Sequence, residues 1–278
     1  MLHIYTLHFK NDYWVNLRVE SFKKHIKVPY KSYAIFSHMN QEMYDRNENN
    51  FDYFEVREEG RRLHKGGYYH PTDGNRHIFP IIKDNLSDGD VVIRIDSDAF
   101  LIDDITDEFI DKINDKKFIS IYEPEHEWDL NYKAPHPAFY AFRGEYLNQG
   151  LDKAMGEMHE DGQSNWWGLL MDWFEHNKID WYPLNRSNKI NLHELYFGIY
   201  DDLIYHHFAG SRDKITRVDR KKAGQTQFVK NPSKKMIENL EKIKDENHLI
   251  DKDVRKQLTE QPEVFMKYLK GEYEGEFE

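Results

Sequence analysis

The chain of 278 residues has no cysteine. That absence removes disulfides, thiolate zinc sites, iron–sulfur ligation and cysteine nucleophiles together, and it fits a reducing compartment. No apolar run approaches the roughly 20 residues that a membrane helix requires. The opening Met1-Leu2-His3-Ile4-Tyr5 has neither the basic flank nor the long apolar stretch of a secretory leader. A soluble, cytoplasmic protein with no transmembrane segment is therefore expected. Positive charge is in short supply as well: 39 Lys+Arg stand against 50 Asp+Glu, a net of −11. No basic footprint is left for general nucleic-acid binding. Aromatic residues, by contrast, are plentiful, with 18 Tyr, 17 Phe and 6 Trp, and they argue for a packed core over disorder.

The order of hydrophobic patterns sets the expected organisation. Leu2–Leu7 predicts a first strand, and Trp14, Leu17, Val19 and Phe22 predict an amphipathic helix within 13–25. Ser32–Phe36 predicts a second strand. Residues 37–75 are polar and carry only turn signals, Gly66-Gly67 and Asp73-Gly74. Ile78–Leu86 predicts a helix that ends at Ser87-Asp88-Gly89-Asp90. Val91-Val92-Ile93-Arg94-Ile95 is then an almost continuous β-branched run, the pattern of a strand buried on both faces of a parallel sheet. Further strands are expected at 118–122, 138–142 and 203–206, a helix at 166–176, and one or two charged helices after Pro232. The alternation predicts an α/β fold with a mostly parallel central sheet, in which ligands gather at the C-terminal ends of the strands.

Asp96-Ser97-Asp98 follows the strongest strand directly. In extended backbone, residues two apart project to the same side, so both carboxylates are expected to converge at the mouth of the sheet. Close carboxylates repel, and a divalent cation relieves that repulsion; hard oxygen ligands suit Mn²⁺ or Mg²⁺. A simple polar turn closing the strand is the alternative use of the same residues. A calcium loop does not fit, because Phe100 and Leu101 stand where a further oxygen ligand and glycine belong. Phosphatase and polymerase-β-like patterns are not matched either.

The stretch from Ile78 through Gly89-Asp90 to Asp98-Ala99-Phe100-Leu101, followed by Asp103-Asp104-Ile105, resembles the donor-site region of A-type glycosyltransferases. His206-His207-Phe208-Ala209-Gly210-Ser211-Arg212-Asp213-Lys214 resembles the H-x-x-G-x-x-K element of the glycogenin-like family 8 enzymes, with Lys214 one residue late. The resemblance implies an A-type glycosyltransferase fold over residues 1–214, with 215–278 as a charged, mainly helical extension. It also implies sugar transfer, of hexosyltransferase type, from a nucleotide-sugar donor, most simply a UDP-sugar, to a glycan or other hydroxyl acceptor. Under it Asp96, Asp98 and His207 hold Mn²⁺ or Mg²⁺. Thr6 and Tyr13 lie near the base, and Arg76, Asp96, Gly210, Arg212 and Lys214 near the diphosphate. Asp161 and Asp172 are candidate catalytic carboxylates. A sugar nucleotidyltransferase is the first alternative, although Leu7–Asp12 lacks the glycine-rich loop it would need; a non-catalytic carbohydrate-binding protein is the second.

Overall fold

The computed structural model describes residues 1–9, 12, 14–37, 39–57, 71–122, 135–156, 166–189, 197–207 and 260–273. Ten strands and seven α-helices are assigned among them. The strands are β1 (Leu2–Phe9), β2 (Tyr30–Ser37), β3 (Tyr53–Arg57), β4 (Val91–Ile95), β5 (Ala99–Leu101), β6 (Phe118–Ile121), β7 (His136–Arg143), β8 (Trp181–Leu184), β9 (Phe197–Tyr200) and β10 (Ile204–His207). The helices are α1 (Val15–His25), α2 (Gln41–Asn47), α3 (Pro71–Lys83), α4 (Asp107–Lys116), α5 (Asp152–Gly156), α6 (Trp166–Asn177) and α7 (Pro262–Leu269). None of the described helices is long and apolar enough to cross a membrane.

Seven strands form one sheet in the order β3-β2-β1-β4-β7-β6-β8. Every neighbouring pair is parallel except those made by β7, which runs antiparallel to both β4 and β6. The expected α/β fold with a mostly parallel sheet flanked by helices is therefore present. Side-chain alternation builds two cores, one on each face. Leu2, Ile4, Val91, Ile93, Ile95, Phe139 and Ala141 join Phe22 of α1 and Ile113 of α4 on one face. Tyr5, Leu7, Val92, Tyr140 and Phe142 meet Ile78, Phe79 and Ile82 of α3 and Leu170 and Phe174 of α6 on the other. All five residues of β4 are buried, as its almost continuous β-branched run predicts.

Several elements depart from the sequence expectation. The polar stretch 37–75 contains α2 and the edge strand β3, whose residues are only half-buried and so carry a weak hydrophobic signal. Asn40 caps α2 by accepting the Met43 amide at 2.9 Å. The helix expected over 78–86 starts earlier, at Pro71, where the missing amide costs nothing. β10 is not in the main sheet. It sits between β5 and β9 in a separate antiparallel sheet, a pairing that no local pattern announces. Helix α7 covers this small sheet through Phe265, Met266 and Leu269, which pack with Trp14, Phe100, Ile199 and Tyr205. Of the stretch after Pro232 where charged helices are expected, residues 233–259 and 274–278 lie outside the described residues.

Two histidines are built into the main sheet as neutral groups. Burial lowers the pKa of His3, against the opposing pull of Asp90. Burial, with Arg18 beside it, puts His8 well below the ordinary histidine value. Such groups take up protons in the unfolded chain before they do in the folded one. Stability is therefore full above the unfolded histidine value, near 6.5, and falls as pH drops below it, with His8 alone contributing up to about 1.4 kcal/mol per pH unit. Denaturant unfolding between pH 7.5 and 5 is expected to show that decline, and a flat profile would contradict the neutral burial of His8.

Candidate functional site

The C-terminal edge of the main sheet is where apolar alternation gives way to polar side chains. On β1 the buried face continues from Leu2 and Ile4 into Thr6 and His8, both buried. On β4, Arg94 replaces the next apolar residue on the α3 side, and Asp96 and Asp98 follow. Because β7 is antiparallel, its first residue, His136, lies at the same edge; the Asp96 amide donates to the Ala138 carbonyl at 2.9 Å. β1 and β4 are also where the strand order reverses, the place at which open α/β sheets bind ligands.

The Asp96–Ala99 segment is a turn, closed by the Ala99 amide on the Asp96 carbonyl at 3.1 Å. The extended geometry expected from sequence does not continue past Ile95, because the chain must reverse to start β5 in the second sheet. The two carboxylates consequently have different surroundings. Asp96 is 28% exposed, with Oδ1 3.5 Å from Arg94 Nη2 and accepting the Ser97 amide at 3.1 Å. Asp98 is buried, with Oδ1 3.7 Å from His206 Nε2.

Adjacent strand residues face opposite ways, so β10 turns its two histidines apart. His206 faces Asp98, and its ring centroid lies 5.2 Å from that of His136. His207 is held by its backbone, whose amide donates to the Asp98 carbonyl at 2.8 Å. Its ring packs 5.2 Å from Trp14, with Nδ1 3.0 Å from the Tyr205 hydroxyl. The fold thus ties His207 to Asp98 through the main chain and offers the His206 imidazole to the carboxylate.

Two buried arginines meet the turn. Arg18, on α1, donates from Nη2 to the carbonyls of Asp96 (2.6 Å) and Ala99 (3.1 Å) and from Nε to Ala99 (3.1 Å). Its Nη1 donates to His8 Nε2 at 3.0 Å; a guanidinium only donates, so that nitrogen of His8 accepts. Burial lowers the Arg18 pKa to about 10, with Asp96 and Asp98 pulling it back up, so it stays charged at neutral pH. Arg94, on β4, lies over the Tyr140 ring at 5.7 Å. Burial, the largest influence, would lower its pKa, but Asp96, Tyr5 and Tyr140 together outweigh it and the net direction is up. Tyr5 flanks the same space; burial raises its pKa, and its hydroxyl donates to Asn75 Oδ1 at 3.2 Å.

The remaining sequence candidates are spread more widely. Thr6 is buried, with Oγ1 3.2 Å from His8 Nε2, so its hydroxyl belongs to the His8–Arg18 chain. Arg76 lies on the exposed side of α3, its side chain close to Gly156 of α5. Asp172 is exposed on α6, next to the buried Trp173 and Phe174. Tyr13, Asp161, Gly210, Arg212 and Lys214 lie outside the described residues. The sequence reading did not single out Arg18, His8, Asn75, Arg94 or His136. One signal was available: Val15, Arg18 and Phe22 share helical spacing, which places an arginine in the buried stripe of α1.

The donor types suit a divalent cation, since Asp98 and His206 offer a carboxylate and an imidazole within 3.7 Å. Asp96 is directed to Arg94 and Ser97, and the three donor atoms do not form a tight cluster. Among the described residues, the group of three ligating atoms within 4.8 Å of one another is His25, Asp103 and Asp104, at a surface away from this edge.

No protein-family model matches the sequence. No curated protein matches it either. Solved structures with partial likeness include the glycosyltransferase GlyE of Streptococcus pneumoniae TIGR4, at 15% identity and TM-score 0.39, covering 66% of this chain and 44% of that one. TarS of S. aureus shows 11% identity and TM-score 0.43, covering 66% and 35%. The galactosyltransferase LgtC, in complex with donor and acceptor sugar analogues, shows 11% identity and TM-score 0.38, covering 63% and 65%. The chain spans less than half the length of the GlyE and TarS chains. With every one of these TM-scores below 0.5, the function proposed below rests on this chain's own residues.

Asn75 joins β1 to α5, since its Nδ2 donates to the Met155 carbonyl at 3.0 Å while its Oδ1 accepts from Tyr5. Asn75→Leu removes the partner of both buried groups and is expected to cost about 1–3 kcal/mol in urea unfolding.

Proposed function

We propose that this chain transfers a sugar from a nucleotide diphosphate sugar to a hydroxyl acceptor, with the donor bound at the edge between β1 and β4. The observation that carries this reading is the Asp96–Ala99 turn at the point where strand order reverses, with Asp98 facing a buried histidine. An acidic protein needs local compensation to hold an anionic donor, and this edge has it in Arg18, Arg94 and His206. The turn's motif and its resemblance to A-type glycosyltransferases favour a UDP-sugar and a hexosyl group.

Mn²⁺ or Mg²⁺ belongs to the proposal. Asp98 and His206 would hold it, and when bound it would offset charge on the departing nucleotide diphosphate. The chain's own residues provide the rest. The buried Thr6 and His8 close the floor at the end of β1. The Asp98 carboxylate stays next to His206, and Arg94 lies 3.5 Å from Asp96 beside it. Asp172 and Asp161 remain candidates for accepting the proton of the acceptor hydroxyl.

Calorimetric titration of UDP, with GDP as comparison and with or without Mn²⁺, tests this directly. Cation-dependent UDP binding is expected, weakened at least tenfold by Asp98→Ala, and more by His206→Ala than by His207→Ala. GDP binding alone would change the donor; no binding of either nucleotide would remove the transferase reading. Glycan binding that survives EDTA would then favour a non-catalytic carbohydrate-binding role.

A further inference from the structure

Arg18 is buried to 0% exposure, an expensive place for a guanidinium unless its donors and its charge are matched. Both are. Its hydrogen bonds reach the first and last carbonyls of the Asp96–Ala99 turn and one ring nitrogen of His8. None goes to a carboxylate. The ring of His8 is in turn fixed by stacking on Phe36, with centroids 4.1 Å apart and planes 6° from parallel. The charge of Arg18 is felt by Asp96 and Asp98 together.

We propose that Arg18 is the positioning residue of the donor site: its planar fork, anchored on His8, sets the backbone of the Asp96–Ala99 turn and leaves both carboxylate side chains available. The proposal rests on the donor-site reading for its link to ligand, but the positioning itself does not. Strand β4 ends at Ile95, and after the Asp96 amide's bond to the Ala138 carbonyl of β7 the main-sheet ladder no longer defines the chain. What does define it is the Ala99–Asp96 bond, the bond from the His207 amide to the Asp98 carbonyl, and Arg18. A lysine would keep the charge, but a single ammonium lacks the rigid fork that meets both carbonyls and His8 at once. Contact with carbonyls, in place of carboxylates, lets Arg18 ease the repulsion between the two aspartates without capping either one.

The test is amide hydrogen exchange on the ligand-free full chain, comparing wild type with Arg18→Gln and Arg18→Lys. The expected result is a rise of at least tenfold in exchange at the Ala99 and His207 amides, with Ile93 in the centre of β4 unchanged. The same variants are expected to bind UDP with Mn²⁺ at least tenfold more weakly. Unchanged exchange at Ala99 and His207 would overturn the proposal, as would an equal rise at Ile93, which marks a general loss of stability. If Arg18→Gln does not fold, the lysine variant decides, because it keeps the charge and loses only the fork. A wild type that binds no UDP would sink the donor-site reading, while the exchange comparison would still show whether Arg18 sets the turn.

Discussion

Two aspartates at the end of a strand buried on both sides create an electrostatic problem that the surrounding structure has to solve. Water can solvate Asp96 in part but hardly reaches Asp98. Each negative charge therefore needs a nearby positive charge or hydrogen-bond donor. The solution comes from three elements, two of them distant in sequence. Helix α1 sends Arg18 under the turn, β4 contributes Arg94 from the face towards α3, and β10 contributes His206 from the second sheet.

That constraint makes sense of features that look unrelated at first. His8 must be neutral at Nε2 to accept from Arg18, and the flat contact with Phe36 provides the apolar setting that keeps it so. Arg94 occupies the strand position where Val92 would otherwise repeat, with the Tyr140 ring under its guanidinium and Tyr5 as its register partner on β1. The small antiparallel sheet has a clear purpose too. By pairing β5 with β10 it draws the segment after Asp98 against His206, and α7 shields the far side of that sheet from water.

Much of the fold was legible in the pattern of residues, most clearly where burial is uniform. The run Val91–Ile95 reads as a doubly buried strand, and Trp14, Leu17, Val19 and Phe22 mark a helix. Edge strand β3 was not legible, because half-buried residues such as Tyr53, Glu55 and Arg57 alternate too weakly. At the site, the Asp96–Asp98 motif was visible in the sequence as a place where charge gathers. The choice between His206 and His207 was not, because they are neighbours in the chain and only strand alternation separates them.

The sequence by itself determined the α/β class, the central buried strand and the location of acidic chemistry just after it. These follow from local hydrophobic period and from the cost of burying charge. Tertiary structure alone decided that the acidic tripeptide turns instead of extending, that β10 leaves the main sheet, and that His206 faces Asp98. It also decided that an arginine 78 residues before Asp96 grips its carbonyl. Those outcomes depend on which distant backbones pair and on the few donors that can reach a buried carbonyl, and neither is encoded in the spacing of neighbouring residues.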